Sequence, residues 1–348
     1  MKEVVVAISG INATDNPGPG CAVGKSLQEA KNKMDLVGLS YDVHDPGNYM
    51  TEVFSNSFLM PYPTNGWLAL NSSLEEIQRK SGINILIPCL DSELPLIIRN
   101  QTYLENRGIR TLLPTEEQFE LRSKDRLVNL SEEIGCKHPR TEVVFSLDEM
   151  INVLEKKIHL PAVIKGRFYK AYVVSSIDMA VLKAAEIAAD WGFPLLVQEK
   201  VEGQEINLIG LCDQNGMIVG RVSIKKQLTT HLGKVWTAVT IKDDRLDRLC
   251  DQFCKFTGWR GPFELECIVY EQEIFIIEIN PRFPAWVYFA TAVGINLPER
   301  LVDLICNGFC DTRSDYSVGK YLVRYTSEFV SDLSYFQNLI LTKNRNGE

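Results

Sequence analysis

At 348 residues, 45% hydrophobic and 24% charged, the chain has the make-up of a soluble globular protein and the length of roughly two or three domains. A net charge of −8 argues against a general nucleic-acid-binding surface and leaves room only for a local basic cleft. No apolar run approaches the roughly 20 residues that span a bilayer, and the start MKEVVVAISG lacks the apolar core and cleavage site of a secretory signal, so the chain reads as cytoplasmic, with no membrane and no nucleic-acid partner.

Residues 1–114 alternate strand-like and helix-like segments. The apolar VVVAIS leads into NPGPGCAVGKSL, Asn16 to Leu27, which opens a helical pattern. Its Gly24-Lys25-Ser26 matches the end of the phosphate-binding pattern G-x-x-x-x-G-K-[ST], but Pro19 takes the place of the first glycine. Two prolines also remove N–H donors that a phosphate cradle uses. The loop therefore reads either as an anion-tolerant turn that helps hold a second substrate or as a tight βα turn with no ligand. LVGLSYDV and INILIPCL continue the strands and LPLIIRNQTYLENRG the helices, which predicts a Rossmann-like parallel sheet flanked by helices. Ligands of such sheets sit at the carboxyl ends of the strands. Both the glycine loop and PCLDSE, with Asp91 and Glu93, fall there, and these two acids carry the same ambiguity as the loop.

A different composition begins near Thr115, which has capping-box spacing to Gln118. SKDRLVNLSEEIG reads as a helix closed by Gly135, and Ser146 with Glu149 opens another through Lys157. The strand PAVIKG, a loop, the strand AYVVSS and the helix IDMAVLKAAEIAADWG follow. From Pro194 to Ile241 the chain reads mostly as β, with a QNG turn. A helix from about Asp243 precedes the hairpin GPFELECIVY-EQE-IFIIEINPR, and helices around AWVYFATAVG and LPERLVDLICNG come after it. The nine cysteines hold no C-x-x-C pair; Cys250/Cys254 and Cys306/Cys310 have helical spacing, which favours reduced core thiols over zinc or redox roles.

In the hairpin, period-two alternation puts Phe263, Leu265, Cys267 and Val269 on one face and Glu264 and Glu266 on the other. Glu278 and Asn280 likewise share a face. A three-residue loop, Glu271-Gln272-Glu273, would set Glu266 opposite Glu278. Carboxylates facing each other across strands are destabilising unless a cation lies between them, and Mg²⁺ takes such oxygen ligands together with phosphates. The alternative is a solvated acidic face on an edge hairpin.

These residues resemble the ATP-grasp superfamily, most closely its carbamoyl-phosphate-synthase-like and biotin-carboxylase-like branch, in order along nearly the whole chain. The resemblance implies an N-terminal parallel α/β domain over 1–114, a small ATP-grasp lid subdomain over 115–198, and a large α+β subdomain over 199–348 with the metal site. It implies that Glu266, Glu278 and Asn280, in the signature E…E-x-N-x-R, are the ligands of Mg²⁺ or Mn²⁺. Arg282 would stabilise transferred phosphate or substrate. In VQEKVEGQEINL, the backbone around Glu199, Lys200 and Val201 would read adenine, and Glu205 would accept the ribose hydroxyls. Lys165 in AVIKG and Lys124 at the helix start would contact ATP phosphates, with Lys225 or Lys226 and Lys234 as looser candidates. The chain departs from the family at KGRFYKAYVV, where a glycine-rich flap is reduced to Gly166, so Arg167 or Lys170 would stand in for backbone donors. By this resemblance NPGPGCAVGKS is a decoy for the nucleotide site. The implied activity is an ATP-dependent carboxylate–amine ligase working through an acyl phosphate, on an amino acid or small peptide, with small-molecule carboxylate and amine as substrates and a homodimer as the expected assembly. The alternatives are a bicarbonate-activating enzyme of the carboxylase or carbamoyl-phosphate type and a non-catalytic ATP-binding regulator.

Overall fold

The computed structural model describes residues 3–13, 17–166, 170–231 and 233–347, apart from the side chains of Lys124 and Asp125. The chain forms two compact units: residues 1–134, 206–266 and 278–348 make unit 1, and residues 135–205 and 267–277 make unit 2. No helix among the described residues is long and apolar enough to cross a membrane.

Unit 1 starts with a parallel sheet of β1 (Val5–Ile8), β2 (Asp35–Ser40), β3 (Asn56–Leu59) and β4 (Ile85–Ile87), ordered β3-β2-β1-β4. β1 is apolar and buried throughout, as a strand covered on both faces must be. It pairs with β2 on one side and β4 on the other, so the strand order reverses there. Such a switch point opens a crevice at the carboxyl ends of both strands. Helix α1 (Pro19–Gln28) follows β1 through the glycine turn. The Gly18 and Gly20 amides donate to the carbonyls of Asn12 at 2.6 Å and Gly10 at 3.0 Å. A Cβ on Gly20 would lie 1.9 Å from the Ser9 carbonyl oxygen, so the glycines serve close backbone packing. Gly24, Lys25 and Ser26 lie inside α1 rather than in a phosphate loop, and Asn16 lies outside the described residues. In the helix α2 (Gly66–Ser81), Leu70, Leu74 and Ile77 recur at helical spacing and face the sheet's core, and Gly82 closes the helix in the left-handed conformation.

The helices α3 (Leu94–Arg99), α4 (Gln101–Asn106), α5 (Glu116–Glu120) and α6 (Lys124–Glu133) complete this stretch. Thr115 and Gln118 form both halves of the expected capping box. In unit 2, β5 (Thr141–Val144), β6 (Ala162–Lys165), β7 (Ala171–Val174) and β8 (Leu195–Glu199) form an antiparallel sheet ordered β5-β8-β6-β7. The helices α7 (Leu147–Lys156) and α8 (Ile177–Trp191) bury Met150, Val153, Ala180 and Ala184 in the same core as Ile164 and Val197, and each opens on a capping serine, Ser146 and Ser176.

The third sheet runs β13-β12-β9-β10-β11-β14, with β9 (Gln204–Cys212), β10 (Ile218–Thr229), β11 (Val235–Ile241), β12 (Gly261–Tyr270), β13 (Glu273–Asn280) and β14 (Tyr321–Val323). Helices α9 (Asp244–Thr257), α10 (Val287–Ala292) and α11 (Leu297–Asn307) accompany it. The loop between β12 and β13 is two residues, Glu271–Gln272, not three, and Glu271 takes a positive φ of 53°. A last helix, α12 (Leu333–Thr342), leads the chain back to β3, where the Leu59 amide donates to the Lys343 carbonyl and the Arg345 amide to Ser57, each at 2.9 Å. All nine cysteines are free, with Cys212 and Cys254 sulfurs 3.2 Å apart in the core.

Candidate active site

The alternation of β12 turns Phe263 and Leu265 into the core and leaves Glu264 and Glu266 on the other face, but that face is largely closed to solvent, with Glu264 buried and Glu266 half-buried. Glu264 is 3% exposed. Its Oε1 accepts from Asn207 Nδ2 and Trp286 Nε1, both at 2.6 Å, and its Oε2 from Asn280 Nδ2 at 2.9 Å. The same Asn280 amide donates to Glu266 Oε1 at 3.0 Å, so Asn280 bridges the two carboxylates and shares their face despite the shorter loop. Glu266 Oε2 accepts from Lys226 Nζ on β10 at 2.9 Å. Burial, reinforced by the Glu266 charge, raises the Glu264 carboxyl above its ordinary range against the pull of its hydrogen bonds. Burial acts on Glu266 in the same sense, but Lys226 and Asn280 outweigh it and hold that carboxyl below the ordinary range.

Arg282, just past β13, extends the network to the switch point of the parallel sheet. Its Nε and Nη2 donate to Asp91 Oδ2 at 3.1 and 2.7 Å, and Nη2 also reaches Asn280 Oδ1 at 3.3 Å. Arg122 approaches the other Asp91 oxygen at 3.4 Å. Burial would raise the Asp91 carboxyl, yet Arg282 and Arg122 bring it below its usual value. Burial likewise works against the Arg282 charge, while Asp91, Glu264 and Glu278 hold it firmly protonated. Glu93 has a different place: Ser9 and Tyr41 hydroxyls and the Cys89 and Leu90 amides all donate to it, tying together the ends of β1, β2 and β4, and burial raises its pKa.

The structure thus brings Glu266, Asn280 and Arg282 together, with Glu278 exposed on the same strand two residues before Asn280. Lys226 rather than Lys225 is the lysine that joins them, and Lys234 is exposed. Sequence reasoning left out Glu264, although its alternation with Glu266 signalled it, and missed Asn207 and Trp286 altogether. Lys124 opens α6, and its side chain lies outside the described residues.

Unit 2 holds the remaining candidates. Lys165 ends β6 beside Leu196 of β8, and Glu199 ends β8 with its Oε1 accepting from the Arg140 amide at 2.8 Å. Lys200 pairs with Glu202, Val201 is half-buried, and Glu205 is exposed on β9. Across the glycine-poor flap, the Gly166 amide donates to the Lys170 carbonyl at 3.0 Å, while the Lys170 ammonium is drawn to Asp190 on α8 at 2.6 Å. Arg167 lies outside the described residues.

Among the described residues no group of three or more His, Cys, Asp or Glu side chains is arranged to hold a metal. The chemistry of the β12–β13 face nevertheless fits a hard cation: it offers carboxylate and amide oxygens, Asn207 Oδ1 is buried beside Glu264 without a partner among the described residues, and the Lys226 ammonium supplies the positive charge at Glu266.

Residues 154–285 match the ATP-grasp domain family. The chain is 23% identical over 215 residues to the carbamoyl phosphate synthase large chain of Clostridium beijerinckii, which covers 57% of this chain and 20% of that one. It therefore spans about a fifth of that relative's length. Among solved structures, the biotin carboxylase domain dimer of Hydrogenobacter thermophilus 2-oxoglutarate carboxylase, in complex with MgADP, ADP and bicarbonate, superposes with a TM-score of 0.66 at 16% identity, covering 92% of this chain and 73% of that one. The L-amino acid ligase of Bacillus licheniformis gives a TM-score of 0.63 at 12% identity, with coverages of 88% and 75%. The chain has the fold of these solved structures, a parallel sheet followed by antiparallel sheets, and its residues 154–285 are similar to the ATP-grasp domain.

Proposed function

We propose that this protein is an ATP-dependent carboxylate–amine ligase. The observation that carries the reading is the charged network of Glu264, Glu266, Asn280, Lys226 and Arg282, assembled from β10, β12, β13 and the turn after it, all within the segment that matches the ATP-grasp domain. In this reading Glu266, Glu278 and Asn280 hold Mg²⁺, which when bound offsets charge on the nucleotide phosphates. Backbone groups around Glu199, Lys200 and Val201 read adenine, and Glu205 takes the ribose. Lys124, Lys165 and Arg282 draw negative charge from the γ-phosphoryl group as a substrate carboxylate oxygen bonds to its phosphorus and ADP leaves. The acyl phosphate then yields to an amine nitrogen, and inorganic phosphate departs. Glu264 acts by holding the Asn280 amide, and Asp91 by holding the Arg282 fork.

The test is the nucleotide product formed from Mg-ATP with pooled amino acids, with and without bicarbonate, followed by chromatography. ADP and phosphate that appear only with amino acids support the ligase. ADP that instead requires bicarbonate supports the carboxylase-type chemistry, a reading favoured by the bicarbonate in the neighbouring biotin carboxylase structure. Glu278→Gln should lower ADP formation on the order of a hundredfold with an unchanged circular dichroism spectrum; full activity would remove the metal assignment.

A further inference from the structure

A groove of about 740 Å³ in unit 1 is lined by none of the candidate active-site residues. Its volume falls within the roughly 300–1,000 Å³ of small-molecule sites. Leu112, Leu304 and Ile305 supply apolar surface, and Arg110 and Arg260 bring two guanidinium groups. Neither is fully engaged by the protein. Arg110 donates from Nη1 to the Ile305 carbonyl at 2.8 Å, and among the described residues its Nη2 has the weakly accepting Cys306 sulfur 3.7 Å away. The buried Nε of Arg260 has no hydrogen-bond partner among the described residues. Buried donors of that kind are uncommon in folded proteins, and the arginine fork matches a carboxylate or phosphate.

The lining also carries negative charge. Glu105 on α4 and Glu117 on α5 share the groove, whereas Glu116 beside them is engaged by Arg99 at 3.1 Å. A bare anion would meet the arginines but also the carboxylates, and a bare cation the reverse. A ligand with one charge of each sign suits both. We propose that this groove binds a small zwitterion, an α-amino acid or short peptide, with its carboxylate on Arg260 and Arg110 and its ammonium on Glu105 and Glu117. This assignment stands whether or not the ligase reading holds.

The test is isothermal titration calorimetry on the full chain without nucleotide. The probes are the common amino acids, first pooled and then singly, with acetate, inorganic phosphate and ethylamine as single-charge controls. Saturable binding of an amino acid, weakened about tenfold or more by Arg260→Gln and by Glu117→Gln but kept in Glu278→Gln, is the expected result. Glu117 is exposed, so its variant keeps the test decisive if Arg260→Gln fails to fold. Binding lost in Glu278→Gln and kept in the groove variants would assign the ligand to the other site and overturn the proposal. Absence of saturable binding, or acetate or phosphate binding as tightly as the amino acid, would overturn it as well.

Discussion

Lys226→Met removes the ammonium that faces Glu266 and leaves a side chain of similar length. Lys226 is 8% exposed and Glu266 28%, so the pair is largely screened from water. Breaking a fully buried pair by removing one partner costs about 3–5 kcal/mol; with Glu266 partly solvated, a smaller cost of roughly 2–3 kcal/mol applies here. For a unit of this size that is a fall in Tm of roughly 4–8 °C.

The pH dependence gives the prediction its sign. Glu266 is held below its ordinary range in the folded protein, so its stabilising contribution is present above that range and lost as the pH falls through the depressed value. Without Lys226, burial and the Glu264 charge dominate and push the same carboxyl upward. The variant's deficit should therefore be largest near pH 8 and shrink toward pH 5, where Glu266 can take up a proton. Thermal unfolding followed by circular dichroism at both pH values is the assay. Millimolar Mg²⁺ should raise the variant's Tm more than the wild type's if the cation replaces the lost charge. A variant within about 1 °C of wild type at pH 8, or a deficit that grows on acidification, would refute the argument.

Other substitutions probe the supports of the site. Gly20→Ala places a methyl group 1.9 Å from the Ser9 carbonyl oxygen and should lose more than about 4 kcal/mol, read as absent soluble protein, while Gly82→Ala, in open space but at positive φ, should cost only about 1 kcal/mol. Arg345→Met strips donors from the carbonyls of Asn48, Phe54 and Ser55 and should cost about 3 kcal/mol, with tryptic cleavage after α12 appearing at lower temperature. Asp91→Asn should destabilise by about 2 kcal/mol near neutral pH. Because the Asp91 carboxyl is held below its ordinary range, that difference should close as acid protonates the wild-type side chain.

Much of the architecture was legible in the sequence because local chemistry announced it. The Thr115–Gln118 capping box, the Ser146 cap and the apolar run of β1 each fix an element from neighbouring residues alone. The glycine turn was legible only in part: its prolines argued against a phosphate loop, but the packing of Gly20 on Ser9 depends on where β1 ends in space. Alternation told which face of β12 carries Glu264 and Glu266 but not what covers it. That face is closed by Lys226, Asn207 and Trp286 from other strands and loops, and by an Arg282–Asp91 contact between residues 191 positions apart. Alternation also failed at the turn, where a left-handed Glu271 allows a shorter loop than the facing carboxylates suggested. The tail's return to the edge of β3 rests on the buried Arg345, whose partners Asn48 and Phe54 lie 297 and 291 positions away.

The balance of that network bears on what the site can accept. Three carboxylates, Glu264, Glu266 and Asp91, are matched by three cations, Lys226, Arg282 and Arg122. Like charges as close as Glu264 and Glu266 are costly to bury, which is why one carboxyl is raised while the other is held ionised. A divalent cation entering beside Glu266 would add two positive charges to a cluster that is neutral when Glu264 is ionised and already positive when it is protonated. Glu278, exposed at the edge, answers one of them and leaves at least one over. Neutrality is then restored only by an anion arriving with the metal, and a nucleotide polyphosphate has that charge. The same reasoning predicts that Mg²⁺ alone binds this face weakly and that ATP without Mg²⁺ does too, each strengthening the other. Titrations of Mg²⁺ with and without a non-hydrolysable ATP analogue measure that coupling, and equal Mg²⁺ affinity in both would sink the charge argument.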